Sequence, residues 1–247
     1  MKIIALIPAR SGSKGIIDKN IKLYKGKPLL WHSINIAKQS KYISKIYLSS
    51  DSEEYNKIGI EMGIKTILRP IEFAGDTSPD IDTFKHFLRE ISNISDIPDI
   101  IIHLRPTYPN RSLQLLDECI EKFLNNMNEY DSLRTVIPIN KCPYKMYHIE
   151  NDILKPFINV YKDYLEPFNQ ARQIFPQTYL HNGCIDIVRT NMIQNNNMLS
   201  GRILPFIMNE SEDNDIDDIK DFKKSEIESS VISVSKNIYK DLLFDHL

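Results

Sequence analysis

Residues 1–20 read MKIIALIPARSGSKGIIDKN, and the turn PARSGSKG at residues 8–15 decides how the rest of the chain is read. KIIALIP is a short, nearly continuous apolar run, the pattern of a strand buried on both faces. It leads straight into Arg10 and Lys14, threaded around Gly12 and Gly15, with Lys19 and Asn20 close behind. A loop that only reversed direction would need the glycines and not the cations. Glycines let backbone N–H groups approach an anion closely, and the cations supply charge. A Lys–phosphate pair at contact distance is worth about 4 kcal/mol at an effective dielectric near 20, so several converging cations would hold a triphosphate. A solvated basic turn accounts for the same residues if nothing else converges on them. The loop matches neither common phosphate fingerprint: Gly12 and Gly15 are too close for GxxxxGK[ST], and GxGxxG is absent.

Outward from this loop the chain alternates. PLLWHSINIAKQS places Leu29, Leu30, Ser33, Ile34 and Ala37 at helical spacing, with Pro28 suited to a first turn. The strand KIYLSS, the helix SEEYNKIGIEMG closed by Gly63, and the strand KTILRP follow. PDIDTFKHFLREI sets Ile81, Phe84, Phe87, Leu88 and Ile91 on one face; DIIIHLRP, SLQLLDECIEKFLNN and SLRTVIPI continue as strand, helix and strand. This order predicts right-handed βαβ units: an α/β fold with a mostly parallel sheet flanked by helices. Ligands of such sheets sit beyond the carboxyl ends of the strands. Those ends carry Arg10 to Lys14, Ser49 to Asp51, Arg69, and Arg105 to Arg111, so four polar tips are expected to face one crevice.

The rhythm breaks after Ile139. Residues 141–177 are rich in Pro, Tyr and Asn with no clear period, and are expected to form an excursion, a dimerisation arm on an otherwise single domain. The strands GCIDIVRT and ILPFIM then return, and an acidic stretch leads into a C-terminal helix. The Asn-rich NNMN and QNNNM read as exposed loops.

The 247 residues carry 31 basic and 33 acidic side chains, a net charge of −2, so bulk charge implies no polyanion surface and nothing asks for nucleic acid. Any basic site must be local. Cys119, Cys142 and Cys184 form no CxxC or Cys/His cluster, which excludes a disulfide framework or zinc site and suits a reducing compartment. No apolar run is long enough for a membrane span. A cytoplasmic protein is expected, with His103 a core residue on a buried strand.

The loop IPARSGSKGIIDKN resembles the N-terminal signature ARxxSKGxxxKN of the CMP-N-acylneuraminate synthetases, a family of sugar-activating cytidylyltransferases. Four further blocks follow in family order: LRPIEFAGDTSPDID is similar to LRPxExAxDT, LRPTYPNR to L-Q/R-PTSPLR, RQIFPQTYLHNGCIDI to RQxLPxxxxxNGxIYI, and DIDD to a metal-binding DIDT. Together they span residues 3–222. The resemblance implies a Rossmann-like nucleotidyltransferase fold, a homodimer, and the reaction of CTP with a nonulosonic (sialic or legionaminic type) acid to give the CMP-sugar and pyrophosphate.

By the same resemblance Arg10, Lys14 and Lys19 would act on the phosphates, and Ala9, Ser13, Asn20, Asp76 and Thr77 would bind nucleotide. Arg69 would read the cytosine edge, since a planar guanidinium can donate two bonds to a carbonyl-type acceptor. Locally, Asp76 and Thr77 equally suit a helix-entry cap, and Arg69 a surface ion pair. Asp215 and Asp217 would hold Mg²⁺; two apart on extended chain, they point to one side, and Mg²⁺ needs only a few carboxylates plus phosphate oxygens. SEDNDIDDIKD is acidic throughout, however, and is also what a solvated helix start looks like. Asn182, Arg172 and Gln173 would meet the sugar. Two departures fall on that side: Arg105 stands at a glutamine position, and Leu180-His181 replace the Arg-Pro of RPNG. The alternatives are activation of the eight-carbon acid Kdo, or a non-catalytic nucleotide-sugar-binding subunit.

Overall fold

The apolar run read as the first strand forms β1 (Ile3–Pro8), whose residues Ile4 to Ile7 are wholly buried. The protein is represented by a computed structural model that describes residues 1–92, 97–199, 201–212 and 214–227. In chain order the strands that follow are β2 (Leu23–Tyr24), β3 (Lys27–Pro28), β4 (Lys45–Ser50), β5 (Lys65–Leu68), β6 (Ile100–His103) and β7 (Ser132–Ile139). Next come β8 (Tyr147–Glu150), β9 (Ile153–Pro156), β10 (Val160–Tyr161), β11 (Tyr164–Leu165), β12 (Thr178–Arg189) and β13 (Ile203–Ile207). The helices are α1 (Leu29–Gln39), α2 (Glu53–Glu61), α3 (Asp80–Ser92), α4 (Leu113–Asn126) and the short α5 (Thr190–Gln194).

The central sheet has seven strands in the order β13-β7-β12-β6-β1-β4-β5. β1 pairs parallel with both β4 and β6, and β4 with β5, while β12 enters antiparallel beside β6. The mostly parallel, helix-flanked sheet is thus the one the alternation predicts. Its helices start where local chemistry allows. Ser52 caps α2 by accepting from the Tyr55 amide, and Ser112 caps α4 by accepting from the Leu115 amide. Pro28 precedes α1 at its N-cap, and Gly63, at φ +72°, ends the turn after α2.

Contacts along the chain divide it into two compact units. The first comprises Met1–Thr135, Gly183–Phe206 and the described residues from Asn214 on. Its core packs Phe84, Phe87, Leu88 and Ile91 of α3 against Ile4, Leu6, Tyr47, Ile101 and Val188 of the sheet. Each such side chain contributes about 1.5–3 kcal/mol by leaving water. Ile81, expected on that face, is only half-buried, while His86 is buried. His103 is buried as expected, its ring edge-on to Phe84 at 5.0 Å. Cys119 and Cys184 are buried free thiols, and burial pushes the Cys184 thiol up to about 12.

The second unit, Val136–Asn182 with the described residues of Ile207–Asp213, contains the segment that showed no period. That segment holds antiparallel hairpins: β8 with β9 through Asn151 and Asp152, both at positive φ, and β10 with β11. A two-residue turn with both residues left-handed matches strand twist. Every residue of β8 is exposed, so no apolar alternation marks it. β12 also begins earlier than GCIDIVRT suggests, at Thr178. Residues 219–227 are helical, and the remainder of the expected C-terminal helix lies outside the described residues. Among the described residues no helix is long and apolar enough to cross a membrane.

Gly59 tests how tightly α2 lies on the sheet. A Cβ there would stand 2.8 Å from Thr66 Cγ2 and 3.0 Å from Leu48 Cδ2. Alanine gains about 1 kcal/mol of helix propensity, but overpacking between a helix and two strands typically costs about 1–3 kcal/mol. The steric cost wins, so Gly59→Ala lowers the urea midpoint at an unchanged m-value.

Candidate active site

From β1 the chain moves outward to β4 and β5, then returns to the other side of β1 for β6. The order therefore reverses between β1 and β6, and a crevice opens beyond their carboxyl ends. A cavity of about 220 Å³ lies there, lined by Pro8 at the end of β1 with Arg10 and Ser13 after it, His103, Arg105, Pro106 and Thr107 around the end of β6, and Lys19, Asn20, Arg69, Asp76 and Asp80. Seven of the residues singled out in the sequence meet in it: Arg10, Ser13, Lys19, Asn20, Arg69, Asp76 and Arg105.

The loop after β1 is fixed from several sides. Ala9 is buried and its amide donates to the Ser49 carbonyl at 3.0 Å. Ser11 donates through both its amide (2.9 Å) and its hydroxyl (2.6 Å) to the Asp51 carboxylate. The buried Asn20 donates from Nδ2 to the Arg10 carbonyl at 2.9 Å, so it shapes the loop from beneath. Gly12 takes φ +66°, a conformation glycine adopts without penalty. Gly15 serves another need: a Cβ there would lie 2.5 Å from the Asp217 carbonyl oxygen. The Lys19 ammonium donates to the Ile216 carbonyl at 2.8 Å, with Asp217 Oδ1 at 3.8 Å.

Arg10 Nη1 and Lys14 Nζ both reach the Asp76 carboxylate, at 2.7 and 2.5 Å. Asp76 thus serves the cations, and its hydrogen bonds from Lys14 and Arg10 hold it below the usual carboxylate range. Lys14 is 81% exposed and is not part of the cavity lining. Thr77 is exposed in the turn before α3. Arg69 differs from all of these. It is buried, Nη1 donates to Thr83 Oγ1 at 2.5 Å, and Nε and Nη2 have no hydrogen-bond partner among the described residues. Burial lowers its pKa, with Asp51 and Asp80 opposing. Two buried donors without partners at a cavity wall are what an acceptor edge of a ligand would satisfy.

Asp215 and Asp217 flank Ile216, which packs with Ile16, Tyr24, Leu29 and Phe222. The buried Asp215 Oδ1 has no hydrogen-bond partner among the described residues, and burial, with the neighbouring Asp217 charge, raises its carboxyl pKa against a hydrogen bond from Thr107. Gly183 (φ +68°) allows this, since a Cβ there would meet Asp215 Oδ2 at 3.3 Å. Asp217 is 81% exposed. Among the described residues no three His, Cys, Asp or Glu side chains gather as a metal cage. An uncompensated carboxylate oxygen beside a second carboxylate nonetheless fits a hard cation that takes its remaining ligands from phosphate and water.

The sequence reading passed over a charge cluster next to Arg105. Asp186 is fully buried on β12 and accepts from Arg105 Nη1 (2.8 Å), Arg134 Nε (2.8 Å) and Arg134 Nη2 (3.2 Å). Asp80 accepts from Arg105 Nη2 at 2.9 Å. One signal was present: where the motif NGxIYI has tyrosine, this chain has Asp186. Arg111, by contrast, is buried with Nε and Nη2 on the Cys184 carbonyl, so it braces the fold.

The other sugar-side residues lie in the second unit. Arg172 and Gln173 line a cavity of about 320 Å³ with Cys142, Phe175 and Gln177, and Arg172 Nη2 donates to Asn140 Oδ1 at 3.2 Å. Asn182 is buried, its Nδ2 3.2 Å from Met208 Sδ.

Known proteins resemble the chain in sequence and in fold. The cytidylyltransferase family matches residues 4–157. The N-acylneuraminate cytidylyltransferase of Escherichia coli O18:K1:H7 is 32% identical over 223 residues, 90% of this chain and 51% of that protein. The CMP-N,N'-diacetyllegionaminic acid synthase of Legionella pneumophila is 32% identical over 222 residues, 88% of this chain and 91% of that one. Post-translational flagellin modification protein B of Campylobacter coli is 31% identical over 226 residues, covering 90% and 92%. The chain spans about half the length of the Escherichia coli relative. In fold it is similar to CMP:2-keto-3-deoxy-manno-octonic acid synthetase solved with CTP (TM-score 0.68, 16% identity, covering 93% of this chain and 99% of that one).

The Asp76 cluster has a pH signature. A carboxylate whose folded pKa is depressed adds stability above its unfolded pKa and loses it as pH falls through the folded value. Because all three side chains are a third or more exposed, the contribution is small and screened by salt. On acidification through the carboxylate range the melting temperature of the parent therefore falls slightly more than that of Asp76→Asn. The difference closes in about 1 M salt.

Proposed function

We propose, from the premise that the chain belongs to the cytidylyltransferase family, that it is a Mg²⁺-dependent enzyme that joins CTP to a nonulosonic acid. The products are the CMP-sugar and pyrophosphate. The observation that carries this reading is the convergence at one strand-order reversal of the loop cations Arg10 and Lys19 and the buried Arg69 with its open donors, beside Asp215, whose carboxylate accepts from the cavity-lining Thr107. The names of the relatives from Escherichia coli and Legionella pneumophila support the substrate class.

In the reaction the anomeric hydroxyl oxygen of the sugar bonds to the α-phosphorus, and the bond from that phosphorus to the bridging oxygen breaks, releasing pyrophosphate. Such a transfer needs little from the protein beyond positioning and charge. Arg10, Lys14 and Lys19 would neutralise the phosphates, Lys14 by leaving Asp76, and the backbone around Gly12 and Ser13 would follow the triphosphate. Arg69 would meet the cytosine edge through Nε and Nη2. Asp215 and Asp217 would hold Mg²⁺, which when bound draws charge from the phosphate oxygens. Arg105, Arg172, Gln173 and Asn182 would act on the sugar side. We place the enzyme in the cytoplasm, as a homodimer. Ile149, Ile153, Leu154, Phe157 and Leu165 on the two hairpins are exposed apolar side chains that a second copy would cover.

The deciding experiment is pyrophosphate release from each of the four nucleoside triphosphates with N-acetylneuraminic, N,N'-diacetyllegionaminic and eight-carbon Kdo acids. Release is expected with CTP and a nine-carbon acid; none with any pair would leave a binding subunit. Lys14→Ala should keep its melting temperature, because an exposed ion pair is worth about 0–1 kcal/mol. It should lose roughly ten- to a hundredfold in turnover, as expected for a lost charged hydrogen bond of about 1.5–3 kcal/mol. Asp215→Asn and Asp217→Asn should each shift the Mg²⁺ titration to higher concentration; unshifted titrations would leave the DIDD stretch a solvated turn.

The homodimer is checked by sedimentation: the parent runs as a dimer, and deletion of residues 145–170 yields monomer with loss of activity. An active monomeric parent at assay concentration would remove the arm from the mechanism.

A further inference from the structure

Arg105 is held by two aspartates that differ in kind. Asp186 is fully buried and is also held by Arg134 through two bonds, so it cannot follow a moving partner. Asp80 is 49% exposed and holds only the outer nitrogen of Arg105, Nη2, at the cavity wall. It is also the first residue of the thirteen-residue helix α3, with Asp82 in the same turn. The start of a helix stabilises negative charge, so Asp80 keeps a favourable setting without its arginine. Asp80 and Asp186 face Arg105 and Arg134, with His103 Nδ1 a further 3.9 Å from Asp186 Oδ2. An anion arriving at Arg105 Nη2 therefore meets a guanidinium already oriented, and one that an exposed carboxylate can release.

We propose that Asp80 is an exchangeable internal anion on Arg105, replaced by the carboxylate of the sugar acid, and that Asp186, anchored by Arg134, is the positioning residue that keeps the guanidinium aimed. The inference rests on the cytidylyl-transfer reading and deepens it, because it assigns the acid group of the acceptor to Arg105 and gives its binding a competitor inside the protein. Exchange of one carboxylate for another conserves both charge-assisted hydrogen bonds of the arginine, which keeps Nη1 on Asp186 throughout. Selectivity follows: a neutral acceptor cannot displace Asp80, so the site discriminates in favour of the acid form before any other sugar group is read.

The test is steady-state kinetics of the full chain with CTP and either N-acetylneuraminic acid or N,N'-diacetyllegionaminic acid, on the parent, Asp80→Asn, Arg105→Gln and the double variant. Asp80→Asn removes a competitor whose pairing is partly solvated. It should lower KM for the acid by about three- to fivefold, the equivalent of a partly exposed ion pair, and move KM for CTP by less than that. Arg105→Gln should raise KM for the acid by about tenfold or more, and in the double variant the Asp80→Asn gain should vanish. As a charge control, the methyl ester of N-acetylneuraminic acid used as a competitive inhibitor should show no gain on Asp80→Asn. Asp186→Asn, if it folds, should raise KM for the acid more than it lowers kcat; Asp80→Asn, at an exposed position, decides the matter if it does not. An Asp80→Asn variant that changes KM for CTP instead, or that helps acid and ester alike, overturns the proposal while leaving the enzyme a cytidylyltransferase. A parent that turns over no acid overturns the reading beneath it, and the proposal with it.

Discussion

The candidate site depends on one close approach. Gly15 lets the loop after β1 lie against the backbone of Asp217, and Lys19 then closes a hydrogen bond to Ile216, 197 residues away in the chain. Any side chain at residue 15 would push the acidic segment off the loop. With that contact made, the cations of the first turn and the two aspartates share one neighbourhood, and Ile216 is drawn under the loop into the small core with Ile16, Tyr24 and Leu29. The sheet supplies a platform, but the electrostatics of the site come from this tie between the two parts of the chain.

Three cations at and beside the crevice already have a carboxylate: Arg10 and Lys14 share Asp76, and Arg105 has Asp80. Uncompensated like charges around a cavity of this size would repel. The internal aspartates relieve that repulsion at the cost of having to be displaced. Arg69 differs: its guanidinium donates to the Thr83 hydroxyl, and its two remaining donors, open among the described residues, suit a carbonyl-type acceptor edge.

How much was legible follows from distance along the chain. The strands and helices of the first unit announce themselves because their burial is local and periodic: Phe84, Phe87, Leu88 and Ile91 recur on one face of α3. Arg10 and Arg69 were legible because each follows the end of a strand, where the fold rule already points, and Lys19 because it belongs to the same basic loop as Arg10. Asp186 was not, because it sits between Ile185 and Ile187 in an apolar run and its partners lie 81 and 52 residues away. Nor were the hairpins of the second unit, whose strands are exposed on both faces and so carry no alternation. Gly15 was noticed for a different reason from the one its geometry supplies: its small size admits the Asp217 carbonyl.

The tie between Lys19 and Ile216 also sets an order of events during synthesis. Domains form from the N-terminus as the chain emerges at about 5–20 residues per second, so roughly ten to forty seconds separate the two partners at the ribosome. Parallel pairing of β1, β4, β5 and β6 needs nothing beyond His103. A nascent chain can therefore own most of its sheet and all of its loop cations while Asp215, Asp217 and the carbonyl that holds Lys19 have yet to be made. Over that interval the basic loop has Asp76 and Asp51 as its counter-charges, and the protein acquires the acidic half of the candidate site last.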